Sequence, residues 1–298
     1  MTPLITVALL AQAIGFAFGF GALLLGILTV LPGSRSVARQ LWPVLASEAA
    51  ILAVGVLPWL LPRDFLLPLI LIAAARIGYE SGCVHGVTAG RNFNAGYLLA
   101  LVAASGLAWF MTSAYFLPAA AFLAGVALAA TRLTAGKSVI GSLARFSVFP
   151  LLPLAAFSHA AHDADSAPLL VLAFFLVEIL DSFSLLGGKL LGRTPLVPRL
   201  SPRKTWEGLA TGLSAMLIAV LSLAMWLDLP LLQGLVACGL VAIAAIAGDL
   251  LGSLAKRHAG VKDYPAVMTV QGGLLDIADS WIVAGPCLVG FFALLGWR

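Results

Sequence analysis

Residues 168–188 read PLLVLAFFLVEILDSFSLLGG, an apolar run in which only Glu178 and Asp181 carry charge. At 1.5 Å of rise per residue, a helix of this length crosses the roughly 30 Å hydrocarbon core of a bilayer. An acid inside that core is costly unless it is paired, hydrated or bound to a cation. Glu178 and Asp181 lie three positions apart, so one helical face carries both. The stretch predicts a membrane-spanning helix with a polar task near one end, either a packing hydrogen bond or a place for a cation.

The rest of the chain agrees with this stretch. Of 298 residues, 61% are hydrophobic and 10% charged, and the mean hydropathy is +1.06. Soluble chains carry about a quarter charged residues, so seventeen Lys plus Arg and thirteen Asp plus Glu cannot cover a soluble surface. The apolar runs are too long for barrel strands and lack two-residue alternation. The fold class expected is an all-α polytopic integral membrane protein. Candidate spans fall at 4–31, 41–61, 64–80, 95–116, 118–131, 138–157, 168–188, 208–227, 229–250 and 274–296. That makes about ten, or nine if one of the short third and fifth segments does not cross. Residues 4–31 precede the first charge, Arg35, and so lack the basic start of a signal peptide; they read as a retained helix.

Basic residues fall on alternate connections: Arg35 and Arg39, Arg91, Arg132 and Lys137, then Lys189 to Lys204, then Lys256 to Lys262. The intervening connections carry Arg63 beside Asp64, Asp163 with Asp165, and Asp228. This one-sided bias predicts a cytoplasmic basic face with both termini opposite. It also explains the net charge of +4 without a nucleic-acid partner. Cys83, Cys238 and Cys287 are scattered in or near apolar stretches and read as buried apolar side chains. Residues 1–137 form a candidate scaffold or dimerisation region, and 138–298 a candidate catalytic region.

Chemistry concentrates in the second region. Ser201-Pro202-Arg203-Lys204-Thr205-Trp206-Glu207-Gly208 follows the seventh span. Ser201 reads as a helix cap ahead of Pro202, and Arg203 and Lys204 as phosphate contacts near the amides of that helix start or as headgroup anchors. Later come Gly248-Asp249-Leu250, Ser253, Lys256-Arg257, Lys262-Asp263 and Gly272-Gly273-Leu274-Leu275-Asp276-Ile277-Ala278-Asp279-Ser280. Asp276 and Asp279 share a helical face. Acids gathered at one membrane boundary with bases between them suit Mg²⁺ and a polyphosphate, because carboxylates are natural ligands for this hard cation. Gly272 and Gly273 would allow close approach of a substrate. Elsewhere, Glu80 reads as a local ion pair with Arg76 or as a contributor to a polar cavity, and His85 as a loop residue.

These blocks together resemble the integral-membrane phosphatidate cytidylyltransferases, also called CDP-diacylglycerol synthases, chiefly over residues 175 to 285. That family is marked by a Ser-Pro-Lys-Lys-Thr-Trp-Glu-Gly loop and a late Gly-Asp-Leu to Asp-Ser signature. The resemblance implies transfer from CTP to phosphatidic acid with release of pyrophosphate, Mg²⁺ as the metal, a homodimer, and a polar cavity open to the cytoplasm of a bacterial cytoplasmic membrane. It places the metal on Asp249 and Asp276, with Asp181 and Asp279 lining the same cavity and Asp181 a candidate for a second cation or for holding one of the bases. Asp181, Lys204, Asp249, Lys256, Arg257, Asp276 and Asp279 are the candidate catalytic residues. Ser201, Arg203, Lys204, Lys256, Arg257, Lys262, Gly272 and Gly273 are the candidate CTP contacts. Three positions depart from the family pattern: Gly252 stands where Glu is usual, Thr269-Val270-Gln271 where Pro-Gly-His is usual, and Ile277 where Arg is usual. These keep open a different lipid acceptor or a non-catalytic relative, and a membrane transporter is the rival from another class.

Overall fold

A computed structural model describes residues 6–31, 33–88, 94–133, 139–198, 200–227, 230–268 and 270–296. Arg91, Lys137, Asp228 and Thr269, named in the sequence reading, and Arg199, within the basic run Lys189 to Lys204, lie outside the described residues. The described chain is helical apart from one small hairpin: α1 (Val7–Val30), α2 (Arg35–Val56), α3 (Leu66–Thr88), α4 (Ala95–Phe110), α5 (Ser113–Leu133), α6 (Val139–Phe146), α7 (Leu152–His162) and α8 (Ala167–Leu191), then β1 (Pro195–Val197) and β2 (Ser201–Thr205), then α9 (Trp206–Leu227), α10 (Leu231–Ala259), α11 (Leu274–Ala278) and α12 (Trp281–Leu294). Eight helical segments among the described residues are long and apolar enough to cross a membrane, and Ala95–Phe110 and Phe116–Ala130 are shorter apolar helices. The protein is an all-α polytopic membrane protein.

The opening stretch forms the centre of the bundle. On α8, Leu170, Val171, Ala173 and Leu176 are fully buried, whereas Phe16, Phe20, Leu23 and Ile27 of α1 stay exposed. A helix apolar on every side is stable here because neighbouring helices enclose it. Close approach comes from small residues, the usual device where helices pack in lipid. A Cβ on Gly212 of α9 would lie 2.5 Å from the Leu180 carbonyl of α8, and one on Gly208 would lie 2.6 Å from the Ser184 carbonyl.

Several boundaries differ from the sequence expectation. The third span does not stop at Glu80: it runs from Arg63 to His85, 23 residues, because Glu80 is buried and paired with Arg76 at 2.9 Å. The short segments are therefore the fourth and fifth. Pro118 lies inside α5, and the break in that region falls at Met111 and Thr112. The ninth span continues to Ala259, so Lys256, Arg257 and His258 sit on the last turn of α10, where cations oppose the negative end of the helix dipole. His85 is helical and buried, stacked on Tyr97. Of the cysteines, Cys238 is buried, Cys83 half-buried and Cys287 exposed. The Ser-Pro segment is a strand: β2 pairs antiparallel with β1, Val197 opposite Ser201 and Pro195 opposite Thr205.

Candidate active site

Three elements bring the acids together. On α10, Asp249 and Lys256 are seven residues apart and share a face, with Gly252 between them. Against that face lies the junction of α11 and α12 at Asp279 and Ser280. Both residues keep helical torsions, so the two short helices continue as one span. The junction seats only because α10 has glycines there. A Cβ on Gly248 would come within 2.3 Å of the Asp279 carbonyl oxygen, and one on Gly252 within 2.9 Å of the Asp279 carboxylate. The third element is α8, whose Asp181 lies within electrostatic reach of Lys204, Asp249 and Glu48.

Two cations pair with acids of this group. Lys204, at the end of β2, forms an ion pair with Asp249. Lys256 pairs with Asp276 at 2.5 Å, with side chains 11% and 8% exposed. Burial favours the neutral amine of Lys204, but Asp249 and Asp181, with Asp279 behind them, outweigh it and hold the ammonium pKa above its ordinary value. Asp279 is buried, takes a hydrogen bond from the Ser280 hydroxyl at 3.2 Å, and feels Asp249, Lys256, Lys204 and Asp181. Asp181 is the exposed acid of this group.

The start of α11 is held by carboxylates. Glu80 accepts from the Leu274 and Leu275 amides at 2.7 and 2.8 Å. Asp276 accepts from the Gly273 and Tyr264 amides, both at 3.0 Å. Unsatisfied first-turn amides and the positive helix end make this a favourable anion site, and here the protein's own acids fill it. Gly272 adopts φ +94, a left-handed turn that glycine permits. The room left by Gly273 is taken within the protein: a Cβ there would lie 2.7 Å from Tyr264 and 2.8 Å from Glu80. Tyr264 packs its ring 5.4 Å from the Lys256 ammonium. Burial, and then Asp276, push its phenol pKa upward.

The structure thus joins Asp181, Lys204, Asp249, Lys256, Asp276 and Asp279. The remaining polar sequence candidates are not joined to this group. Arg203, Arg257 and Lys262 are exposed and Ser201 half-buried; Arg257 donates to the Leu200 and Val261 carbonyls at 3.4 and 3.2 Å, and Lys262 lies 3.8 Å from Asp263. Ser201 is not the cap of α9. Thr205 is: its hydroxyl accepts from the Gly208 amide at 3.1 Å.

The sequence did not mark Glu48, and it marked Gln271 only as a departure from the family pattern. Gln271 donates to Glu48 at 2.9 Å and to Ser47 at 3.0 Å, tying the turn before α11 to α2. An acid within the apolar run 41–61 was the available signal. Glu80 forms the ion pair with Arg76 expected of it and, beyond that expectation, caps α11.

Carboxylate oxygens are the right donors for a hard divalent cation. The ammonium groups seated on Asp249 and Asp276 show that both carboxylates attract a cation. Among the described residues, no three His, Cys, Asp or Glu side chains are already gathered as a metal site, so a divalent ion would share these oxygens with Lys204 and Lys256.

Comparison with known proteins fits this arrangement. The model described as the cytidylyltransferase family matches residues 49–295, which covers all three elements of the site, and the chain belongs to that family. It is 37% identical over 138 residues to phosphatidate cytidylyltransferase 5, chloroplastic, of Arabidopsis thaliana, covering 46% of this chain and 34% of that one. It is 30% identical over 191 residues to the phosphatidate cytidylyltransferase of Rickettsia typhi, covering 61% of this chain and 82% of that one. An Escherichia coli protein named uncharacterized protein YnbB is 38% identical over 150 residues, covering 47% of this chain and half of that one. The chain thus spans about a third of the length of the chloroplast relative.

Proposed function

We propose that this protein transfers the cytidylyl group of CTP to phosphatidic acid, giving CDP-diacylglycerol and pyrophosphate. One observation carries it: in a chain of this family, two acid–base pairs, Lys204–Asp249 and Lys256–Asp276, flank buried Asp279 beside open Asp181.

The attacking atom is a phosphate-monoester oxygen, largely anionic near neutral pH because its second pKa is about 6. No protein base has to create it. It attacks the α-phosphorus of CTP, a new P–O bond forms, and the bond to the β-phosphate oxygen breaks to release pyrophosphate. Bringing two anions together is the barrier, and fixed positive charge in a low-dielectric recess lowers it. Lys204 and Lys256 are paired with Asp249 and Asp276, and the exposed Arg203, Arg257 and Lys262 receive the triphosphate. Asp249, Asp276 and Asp181 would hold Mg²⁺, which supplies charge neutralisation on the phosphates when bound. Asp279 keeps both lysines turned inward. Glu80 and Gln271 fix the turn that presents Asp276.

Residues 138–298 carry the transferring groups, and 1–137 serve as scaffold or dimerisation region while lending Glu80 and Glu48. The basic end faces the cytoplasm of a bacterial cytoplasmic membrane, and the protein works as a homodimer. The test offers CTP and Mg²⁺ with a panel of lipid phosphates and lipid alcohols, following pyrophosphate and lipid product together. Equal amounts of CDP-lipid and pyrophosphate with phosphatidic acid are expected. Product from another lipid phosphate alone would reassign the acceptor. Solute flux without nucleotide turnover would overturn the enzyme.

A further inference from the structure

The mechanism leaves unused a cavity of about 540 Å³ on the other side of α11. It lies within the size range of ligand pockets and its wall is apolar: Trp59, Leu66, Ile70, Ala73, Leu154 and Phe157 among others. Val54, Ile72 and Val267 also line it and are 64%, 66% and 52% exposed, so it opens on the outer surface of the bundle. One wall is Leu274, Ala278, Trp281 and Ile282, a stripe with spacing i, i+4, i+7, i+8. Asp276 sits on the same short helix outside that stripe. The α11–α12 span therefore separates the Lys256–Asp276 pair from an apolar groove by no more than a helix width.

From these facts we propose that the groove receives an acyl tail of the lipid acceptor, placing its headgroup beside Asp276 and Lys256. This rests on the lipid-phosphate reading of the site. Length supports it: the groove follows α3 from Leu66 to Ile77, about 16 Å at helical rise, or roughly half the hydrocarbon core. Charge supports it as well. Arg76 is the charged residue in the lining, held by Glu80 at 2.9 Å and by the Pro265 carbonyl at 2.6 Å. It marks the end toward α11 as the one suited to an anionic headgroup. A soluble acceptor would have no use for this wall, and a second copy of the chain would need a protruding face rather than a slot.

The test fills the groove away from the acids. Ala73→Trp and, separately, Leu69→Trp are measured with phosphatidic acid of long and of six-carbon chains in mixed micelles. The KM for the long-chain acceptor is expected to rise by about tenfold, equivalent to about 1.4 kcal/mol. The KM for CTP and turnover of the short-chain acceptor should stay near wild type, which also reports that the variants are folded. An unchanged long-chain KM, or equal rises for both acceptors, would overturn the assignment. Independently of turnover, a phosphatidic acid with a photoreactive tail should label residues 66–77 of the wild-type protein. Long-chain phosphatidic acid should suppress that labelling, and phosphatidylcholine should not. Equal suppression by both would mean that bulk lipid fills the groove. If the wild type makes no nucleotide-linked lipid yet labels selectively, the function proposed above fails and the groove stands.

Discussion

Asp249 and Asp276 both hold a lysine, yet they differ in what their loss should do. The Lys256–Asp276 pair is almost enclosed, and Asp276 also takes two backbone amides. Removing one partner of a buried pair leaves an uncompensated charge and costs about 3–5 kcal/mol. Asp276→Asn is therefore expected to lower Tm sharply as well as abolish transfer. The Lys204–Asp249 pair is more open, 41% and 21% exposed. Asp249→Asn should abolish product with only a small shift in Tm. Thermal unfolding in detergent beside product assays distinguishes the two; equal destabilisation would contradict this account of burial. Both acids were legible as site residues because they stand in apolar surroundings next to bases. Glu80 was half-legible, since its partner Arg76 is one turn away but Leu274 is 194 residues distant. Glu48 was not legible, because its tie to Gln271 spans 223 residues and no local pattern encodes it.

At the scale of elements, helix contact is set by glycine. Gly248→Ala should destabilise by about 1–3 kcal/mol, since the added methyl meets fixed backbone at 2.3 Å. Gly239→Ala, on the same helix with nothing within 4 Å, should be neutral or stabilise by up to about 1 kcal/mol. Tm values in one detergent check the contrast. The tie between α2 and the α11 turn is testable by exchange. Gln271→Glu sets a carboxylate against Glu48 and should cut kcat by about tenfold, roughly 1.4 kcal/mol. Adding Glu48→Gln restores a donor and an acceptor and should return kcat to within a few-fold. No recovery in the double variant would make Gln271 merely structural. The spans were legible from hydropathy and charge, but their ends were not. Charge at Glu80 and at Asp249 suggested helix termini, whereas ion pairing allowed both helices to continue. Ser201-Pro202 suggested a cap by composition, and pairing with Pro195–Val197 made a strand instead.

At the scale of the whole molecule, a chain with few charges places several of its thirteen acids where α8, α10 and α11 meet. The sequence revealed that concentration because intramembrane charge is expensive and therefore conspicuous. It did not reveal the division of labour across α11, polar on one side and apolar on the other, since the groove is lined by helices far apart in the chain. The basic bias also predicts the orientation proposed above. A single cysteine placed at exposed Lys262, in a chain whose own cysteines are replaced, should react with an impermeant maleimide only when the cytoplasmic face is accessible. Labelling from the opposite face would invert the topology. The most direct test of the central claim follows the label of CTP in purified protein with Mg²⁺ and phosphatidic acid. Label in the α-phosphate is predicted to enter lipid and label in the γ-phosphate to leave as pyrophosphate; γ-label in lipid, or no labelled lipid with either substrate, would contradict it.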